Sequence, residues 1–320
     1  MTRVVVLGGT GHIGGYLVPR LVAAGAEVTV VSRGRSAPYR DDPAWNEVSS
    51  VVVDRGAEER AGVFGARIRD LDPDVVVDLI CFDLDSARQL VEPLRGRVQH
   101  FLHCGTMWVH GPSTVVPVTE DAPRHPFGDY GIRKAEIERW LLDENSRNGL
   151  PATVLHPGHI TGPGWAPINP VGNLDLGVFH ALAAGDEVVL PNLGMETVHH
   201  VHADDVASAF VAAMAAREAA VGENFHVVSP GAITLRGYAG AVAEWYGHPA
   251  RLSFLGWEQW REQVPEAAAR LTYDHIAHSA HGSIAKAERL LGFRPRHTSL
   301  EAIREALDWL AARGEIPPLR

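Results

Sequence analysis

Lysine and cysteine are both scarce in this sequence of 320 residues. Its 29 basic residues include only two lysines, Lys134 and Lys286, and its two cysteines, Cys81 and Cys104, form no C-x-x-C pair. Two isolated thiols exclude a disulfide-dense secreted scaffold and are typical of a reducing compartment. Because arginine serves as the general cation here, we expect each lysine to be kept for a chemical reason of its own.

Positive charge is in deficit, and long apolar runs are missing. The formal net charge of −10 disfavours a nucleic-acid partner, because such binding depends on clustered Lys and Arg that neutralise phosphates. No stretch approaches the ~18 apolar residues of a membrane span, and the N-terminal apolar run is shorter than the ~7 to 15 residues of a secretory signal core. We therefore expect a globular, cytoplasmic protein with no membrane partner.

Glycine, by contrast, is dense near the start of the chain. The apolar run Val4–Leu7 is followed by Gly8, Gly11 and Gly14 at three-residue intervals, and then by apolar residues at helical spacing. This pattern predicts a buried parallel strand, a tight turn and a helix whose first N–H groups face an anion. A dinucleotide is the expected ligand.

Several segments share one resemblance. Gly-Gly-Thr-Gly-His-Ile-Gly at 8–14 resembles the short-chain dehydrogenase/reductase superfamily in its extended, epimerase/dehydratase-like branch. Thr106 lies in a segment similar to the family's Ser-Ser-x-x-Val-Tyr-Gly, and Tyr130 with Lys134 matches its Tyr-x-x-x-Lys. Segments 152–164, 199–207 and 292–295 also resemble the family, so the likeness covers essentially the whole chain.

The predicted fold class is α/β, with a doubly wound parallel sheet (Rossmann fold) and a smaller C-terminal substrate-binding lobe. Strands that alternate with crossovers predict the parallel sheet from the sequence pattern itself. We expect strands at 4–7, 27–31, 51–54, 73–81 and 98–104. The predicted dinucleotide-binding domain comprises 1–165 and 199–230, and the predicted substrate-binding lobe comprises 166–198 and 231–320.

The resemblance implies that Thr106, Tyr130 and Lys134 are catalytic. The i, i+4 spacing places Tyr130 and Lys134 on one helix face. A free phenol titrates near ~10, and the charge of Lys134 beside an oxidised nicotinamide would favour the phenolate. Tyr130 could then act as base or acid near neutral pH, while the Thr106 hydroxyl donates a hydrogen bond to the substrate oxygen.

The end of the second predicted strand bears on the choice of cofactor. A domain for NAD usually carries an acidic residue there, whereas this chain carries Ser32, Arg33 and Arg35, which could hold a 2′-phosphate. NADP is therefore favoured over NAD. The full set of predicted cofactor-binding residues is Gly8, Thr10, Gly11, His12, Ile13, Gly14, Ser32, Arg33, Arg35, Asp54, Leu79, Ile80, Cys81, Lys134, Pro157 and His159.

The predicted substrate-binding residues are Thr106, Trp108, Tyr130, His159 and His199. The chain departs from the family here, because His159 replaces an expected Asn and Val198 replaces an arginine that grips the diphosphate of sugar nucleotides. A second such arginine is expected near His275, His278 and His281 and is not evident. We therefore expect UDP-glucose to be a poor substrate, unless Arg236, Arg251 or Arg261 reaches the pocket.

The 17 histidines also raise the possibility of a metal site, since two triplets could supply imidazoles. These are His199, His200 and His202, and His275, His278 and His281. No Cys or carboxylate cluster accompanies them at a zinc-like spacing, so we predict no metal and expect neutral histidines that line a pocket.

The predicted activity is NAD(P)-dependent hydride transfer between nicotinamide and a secondary alcohol or ketone. An NAD-dependent nucleotide-sugar epimerase or dehydratase is the alternative, and an RNA-binding relative on the same scaffold is a lesser one. The expected partners are a small-molecule substrate and a second copy of the chain. The family pairs through the helix after the fourth strand and the Tyr130 helix, and apolar Ile132, Ile137, Trp140 and Leu141 on the latter favour a homodimer.

Overall fold

Strands and helices alternate along the computed structural model, which describes residues 1–38 and 40–320. The strands are β1 (Arg3–Leu7), β2 (Glu27–Ser32), β3 (Ser49–Val52), β4 (Val75–Asp78), β5 (His100–Cys104), β6 (Ala152–Pro157), β7 (His159–Thr161), β8 (Glu187–Pro191), β9 (Thr197–Val198), β10 (His200–His202), β11 (Asn224–Val227), β12 (Ile233–Thr234) and β13 (Arg251–Leu255). The helices are α1 (Gly14–Ala23), α2 (Arg55–Arg60), α3 (Phe64–Arg69), α4 (Leu84–Val91), α5 (Gly128–Asn148), α6 (Gly177–Ala184), α7 (Ala203–Ala215), α8 (Arg217–Ala220), α9 (Leu235–Trp245), α10 (Trp257–Arg261), α11 (Glu266–His278), α12 (Ala285–Leu291) and α13 (Ser299–Ala312).

Seven strands form the central sheet in the order β11-β6-β5-β4-β1-β2-β3, and every pairing in it is parallel. The strand order reverses between β1 and β4. In open α/β sheets of this kind, ligands bind outside the carboxyl ends of the strands at such a reversal. The doubly wound parallel fold predicted from the sequence is confirmed.

The alternation of β1 explains why both faces of the sheet are covered. Val4 and Val6 belong to one apolar core, which includes residues of α1 and α7, whereas Val5 and Leu7 belong to the core on the opposite face, with residues of α3, α4 and α5. Successive side chains of a strand point to opposite faces, so an unbroken apolar run requires apolar packing on both. The consequence is a rigid platform whose strand ends can position a site.

A third apolar core lies outside this sheet. Its buried members fall within 171–198 and 235–316, and they surround the parallel pair β8 and β13. These ranges lie inside the predicted substrate-binding lobe, whose boundaries stay a prediction. No helix in the described part of the chain is both long enough and apolar enough to cross a membrane.

All five predicted strands differ from the observed bounds: β1, β2 and β5 differ by one or two residues at one end, and β3 and β4 differ at both ends. The third strand ends at Val52 rather than 54, because the carboxylate of Asp54 accepts the Ala57 N–H and begins α2. The fourth strand covers only Val75–Asp78, and the carboxylate of Asp78 then accepts the Ile80 N–H in a turn. Short polar residues compete with strand ladders in this way at the ends of strands.

Candidate active site

A cavity of about 460 Å³ opens at the carboxyl ends of β1, β4, β5 and β6. It brings together three parts of the chain: the glycine turn after β1, the segment after β5 and the start of α5. The predicted site residues that line it are Gly8, Gly11, His12, Ile13, Gly14, Leu79, Ile80, Thr106, Trp108, Tyr130, Lys134, Pro157 and His159. Most of the residues identified by motif thus share one cavity.

The glycine turn has the close approaches that a dinucleotide cradle requires. Gly8 has a φ of +83°, and a Cβ atom there would lie 2.6 Å from Ile80 Cγ2. A Cβ at Gly14 would lie 2.2 Å from the carbonyl oxygen of Gly9. Larger residues at either position would displace the turn, and in the described chain no side chain caps the start of α1 at Ile13. The helix N-terminus is therefore suited to an anionic pyrophosphate.

Thr106, Tyr130 and Lys134 converge from two elements. Tyr130, on α5, lines the same cavity as Thr106, which follows β5 and whose hydroxyl accepts the Trp108 N–H at 3.3 Å. Lys134 is only 2% exposed, and its ammonium donates to the carbonyl oxygens of Cys81 and Cys104 at 2.7 Å each. The lysine therefore fixes the loop after β4 to the end of β5.

The titration behaviour of Tyr130 differs from the expectation. The residue is 42% exposed, yet the protein around the phenol raises its pKa to about 12, chiefly by burial, against a smaller opposing effect of the Thr106 hydroxyl. Burial also lowers the pKa of Lys134. The Lys134 ammonium lies 6.0 Å from the centroid of the Tyr130 ring and is held by two carbonyls, so in this state it does not offset the desolvation of the phenol.

A buried chain of side chains supports Thr106 from behind. The Thr106 N–H donates to His156 Nδ1 at 3.0 Å, and His156 Nε2 lies 3.0 Å from Glu138 Oε1. Arg124 Nη2 donates to the same carboxylate at 2.7 Å. Because Nδ1 accepts the Thr106 N–H, the imidazole proton of His156 lies on Nε2, which donates to Glu138. The ion pair and the imidazole hold the pKa of Glu138 well below its usual range, so it stays ionised although it is buried.

Sequence reasoning missed this supporting chain. Its signal is the position of Glu138, eight residues after Tyr130 and four after Lys134, on the same face of α5. Glu138 is only 4% exposed. A carboxylate on the buried face of a helix requires a partner, and that requirement is what could have predicted it.

Other predicted site residues are not among those that line the cavity: Thr10, Ser32, Arg33, Arg35, Asp54, Cys81 and His199. Ser32 accepts the Gly34 N–H, and Arg35 pairs with Asp54 at 3.8 Å. Cys81 is buried and reaches the site only through its carbonyl. His199 is turned away, because its Nε2 contacts the Ser229 carbonyl at 2.9 Å and its Nδ1 accepts the Gly282 N–H.

Neither of the two histidine triplets noted in the sequence brings its three ring nitrogens close enough together to hold one metal ion. In the described chain, only His202, His297 and Glu305 bring three ligand atoms within 4.8 Å of one another. His202 Nδ1 accepts the Asp204 N–H, which leaves the proton on Nε2. The rings of His202 and His297 stack at 4.1 Å and 22°, so their in-plane lone pairs run nearly parallel. This geometry is poorly suited to one shared ion.

Comparison with known proteins agrees with the geometry. The model of the NAD dependent epimerase/dehydratase family matches residues 4–227, which contain the glycine turn, Thr106, Tyr130 and Lys134. The chain belongs to this family. Its members carry out nicotinamide-dependent oxidoreductase and epimerase chemistry, and this is the class of activity that the fold and family define for the chain.

Individual relatives differ in what they do. The chain is 24% identical to the chloroplast stem-loop binding protein of 41 kDa b from Arabidopsis thaliana, over 98% of this chain and 80% of that protein. It is 29% identical to 2′-dehydrokanamycin reductase from Streptomyces kanamyceticus, over 71% of this chain and 62% of the reductase. UDP-glucose 4-epimerase from Thermotoga maritima, solved with UDP-glucose, superposes with a TM-score of 0.75 at 21% identity, covering 98% of this chain and 100% of the epimerase.

Proposed function

We propose that this chain transfers hydride between NADP(H) and a secondary alcohol or ketone, with Thr106, Tyr130 and Lys134 as its catalytic set. The observation that carries the proposal is that Thr106, Tyr130 and Lys134 line the same cavity as the glycine turn. When bound, the nicotinamide cofactor supplies the hydride-carrying atom. The protein then has to orient an oxygen, transfer a proton and exclude water.

Tyr130 is suited to act as the proton donor when the reaction runs in the reductive direction. A phenol with a pKa of about 12 is protonated at neutral pH and can donate its proton to the oxygen of a ketone that is being reduced. Thr106 holds that oxygen by a hydrogen bond, and Lys134 holds the two strand ends that shape the site. Oxidation is the reverse, and it requires a positive charge near the phenol that lowers its pKa.

The preference for NADP is supported by the charges at the end of β2. Arg33 and Arg35 are both exposed there. Arg35 is partly neutralised by Asp54, whereas Arg33 is available for a 2′-phosphate. Arg33 is therefore the residue on which we base the preference.

Mass-spectrometric identification of the nucleotide that copurifies tests the proposal. A reductase exchanges its cofactor, so we expect an empty site or one that selects NADP. A tightly retained NAD would instead favour the alternative, an epimerase in which oxidation and reduction both occur on one bound cofactor. A protein that binds neither nucleotide would contradict both.

The relative from Arabidopsis thaliana favours RNA binding as a second candidate, because it is matched over almost the whole chain. The net charge of −10 and the convergence of Thr106, Tyr130 and Lys134 argue against that function here. A gel-shift titration with a structured RNA at physiological salt decides between them. We expect no shift.

We also propose a cytoplasmic homodimer, although fewer apolar residues of α5 are available to a partner than the sequence indicates. Cys81 and Cys104 are free and buried, which fits a reducing compartment. Ile137 and Leu141 of α5 are fully buried in the core, so they are not available for a partner, whereas Ile132 is exposed. Light scattering that gives the 34.7 kDa mass of one chain would contradict the dimer.

A further inference from the structure

The part of the cavity that surrounds the reacting centre carries very little charge. Among the described residues that line the cavity there is no Asp, Glu or Arg. Its one lysine, Lys134, already donates to two carbonyls. The walls beyond the catalytic residues are formed by Phe82, Met107, Trp108, Trp165, Ala166, Ile168 and Leu174. An ionic group on a substrate would therefore lose its hydration here with no opposite charge to replace it.

The three arginines that the sequence left open are engaged elsewhere. Arg236 lies over the Phe254 ring at 5.0 Å, Arg251 Nη1 contacts the Gly185 carbonyl at 3.5 Å, and Arg261 pairs with Glu258 at 3.5 Å. None of them lines the cavity. The structure therefore provides no substitute for the diphosphate-binding arginines that the chain lacks.

The histidines on this side are neutral. Burial lowers the pKa of His159 well below its usual value, and neighbouring imidazoles lower it further. Burial also lowers the pKa of His200 to about 3 and that of His275 to about 4. At neutral pH this cluster adds no positive charge, so it cannot compensate a phosphate.

His159 also contributes to the wall of the cavity, but not through its ring nitrogens. In the described chain, neither ring nitrogen of His159 has a hydrogen-bond partner, and both are shielded from solvent, so a ligand in the cavity does not reach them. The aromatic rings of His275 and Trp108 lie beside it, with centroids 4.7 and 6.4 Å away. His159 therefore adds neither a charge nor an accessible hydrogen-bonding group to this wall.

Apolar side chains are also exposed around the cavity. Phe82 is 52% exposed, Trp165 54% and Leu174 49%, and all three line the same cavity. Exposed apolar groups that share a concave site are typical of one that buries the apolar part of a ligand.

We propose that the substrate is an uncharged molecule with an apolar body, which packs against Trp108 and Trp165. This inference rests on the proposed hydride transfer for the position of the reacting oxygen, at Tyr130. It excludes sugar nucleotides as preferred substrates, although UDP-glucose is bound by the Thermotoga maritima epimerase of the same fold.

Calorimetric titration of the NADP-loaded protein tests the substrate class without requiring turnover. The probes are acetophenone and benzoylformate, which share one ring and ketone and differ in that a carboxylate replaces the methyl group, together with UDP and UDP-glucose. Benzoylformate should bind at least about 10-fold more weakly than acetophenone, because its carboxylate is desolvated without a partner.

Trp165→Ala should weaken acetophenone binding by roughly 5-fold, because it removes part of the apolar wall. Leu193→Ala is the control, since this apolar residue is also exposed but does not line the cavity, and it should bind acetophenone within about 2-fold of the unmodified protein. If either variant fails to fold, the probe series on the unmodified protein still decides the substrate class.

Micromolar binding of UDP or UDP-glucose, or preference for benzoylformate, would overturn the uncharged class. Unchanged acetophenone binding in Trp165→Ala would overturn the role of the apolar wall. Binding in the expected order without hydride transfer would contradict the proposed function but not the substrate class, so the two failures are distinguishable.

Discussion

The two sides of the cavity differ in how their polar groups are satisfied. On the catalytic side, Thr106, Lys134, His156 and Glu138 are buried and each has a hydrogen-bond partner in the protein. On the substrate side, the walls that Trp108, Trp165 and Leu174 form are apolar, and the ring nitrogens of His159 are buried away from the cavity. A satisfied network holds its atoms in place before a ligand arrives, whereas an apolar wall favours a ligand without charged groups.

The comparison teaches where each kind of specificity comes from. The catalytic side fixes the geometry of one proton transfer and depends little on the rest of the substrate. The substrate side can discriminate by burial, because it offers no opposite charge to replace the hydration that a charged ligand group loses.

Acidification should have the largest effect, which is on the stability of the fold, because it protonates the neutral buried histidines. The pKa values of His200 and His275 are lowered to about 3 and about 4, so between pH 6.5 and about 4 the unfolded chain binds protons that the folded chain does not. Their contribution is fully present above pH 6.5 and is lost as the pH falls. We expect the free energy of unfolding to fall by roughly 1.4 kcal/mol per pH unit for each such histidine. Urea unfolding at about pH 7, 6 and 5 measures this fall in the free energy of unfolding.

His297 should respond to pH in the opposite sense and serves as a check. The carboxylate of Asp205 raises the pKa of His297, so its contribution is present below pH 6.5 and is lost as the pH rises through the folded value. If His297 dominated, the urea midpoint would rise on acidification. That result would contradict the neutral state of the buried cluster.

Removal of the proton donor should stop the chemistry but preserve both sides of the cavity. Tyr130→Phe is expected to lower turnover by roughly 10² to 10⁴, because it deletes the acid and base and little else. Cofactor affinity, measured by fluorescence titration, should stay nearly unchanged. Tyr273→Phe is the control, since this exposed tyrosine lies on α11 against Trp257, and it should turn over normally. Full activity in Tyr130→Phe would contradict the catalytic role of Tyr130.

Glu138→Ala should disorganise the catalytic side alone. Loss of this carboxylate leaves the Arg124 charge and the His156 proton without their partner, and we expect about 3 to 5 kcal/mol of destabilisation in urea unfolding. Displacement of Thr106 should also lower kcat by roughly 10- to 100-fold.

The same helix provides a matched control for that variant. Glu144 is also buried on α5, and Arg95 donates to it at 2.8 and 2.9 Å, but it has no hydrogen bond to the supporting chain of Thr106. Glu144→Ala should lower stability and leave kcat within about 2-fold, since the active site keeps its geometry. Equal losses of kcat in both variants would mean that Glu138 acts through stability only.

Arg33→Ala should have the smallest effect and should leave both sides of the cavity intact. It is expected to weaken NADP binding by roughly 10-fold and NAD binding by less than about 2-fold, because only NADP presents a 2′-phosphate. Fluorescence titration of the two cofactors measures the difference, with the exposed Arg147 on α5 replaced by Ala as control. An equal loss for both cofactors would place Arg33 away from the ribose.

The sequence predicts the catalytic side better than the substrate side, for a physical reason. Gly8, Thr106, Tyr130 and Lys134 follow strand ends or share a helix face, so short-range spacing determines where they meet. The fold class and family are confirmed on the same basis. The roles of these residues and the choice of NADP stay predictions.

Contacts between distant elements could not be predicted from spacing. The support of Thr106 by His156 depends on β5 and β6 being neighbours in register, and the orientation of His199 depends on backbone groups some 30 and 83 residues away. The pKa of Tyr130 likewise depends on how deeply the packed chain buries the phenol, which the distance between Tyr130 and Lys134 along α5 does not indicate.

The scarcity of lysine makes acylation a probe of internal motion. Lys134 is 2% exposed and held by two carbonyls, while the Lys286 ammonium lies 2.8 Å from the Glu223 carboxylate, with 16% of its side chain exposed. A succinimidyl ester can reach Lys134 only when α5 separates from the strand ends, whereas Lys286 reacts through local side-chain movement. The ratio of the two labelling rates therefore reports how often the catalytic helix opens. Mass spectrometry measures both rates, with the peak of labelled Lys286 as the internal reference for the peak of labelled Lys134.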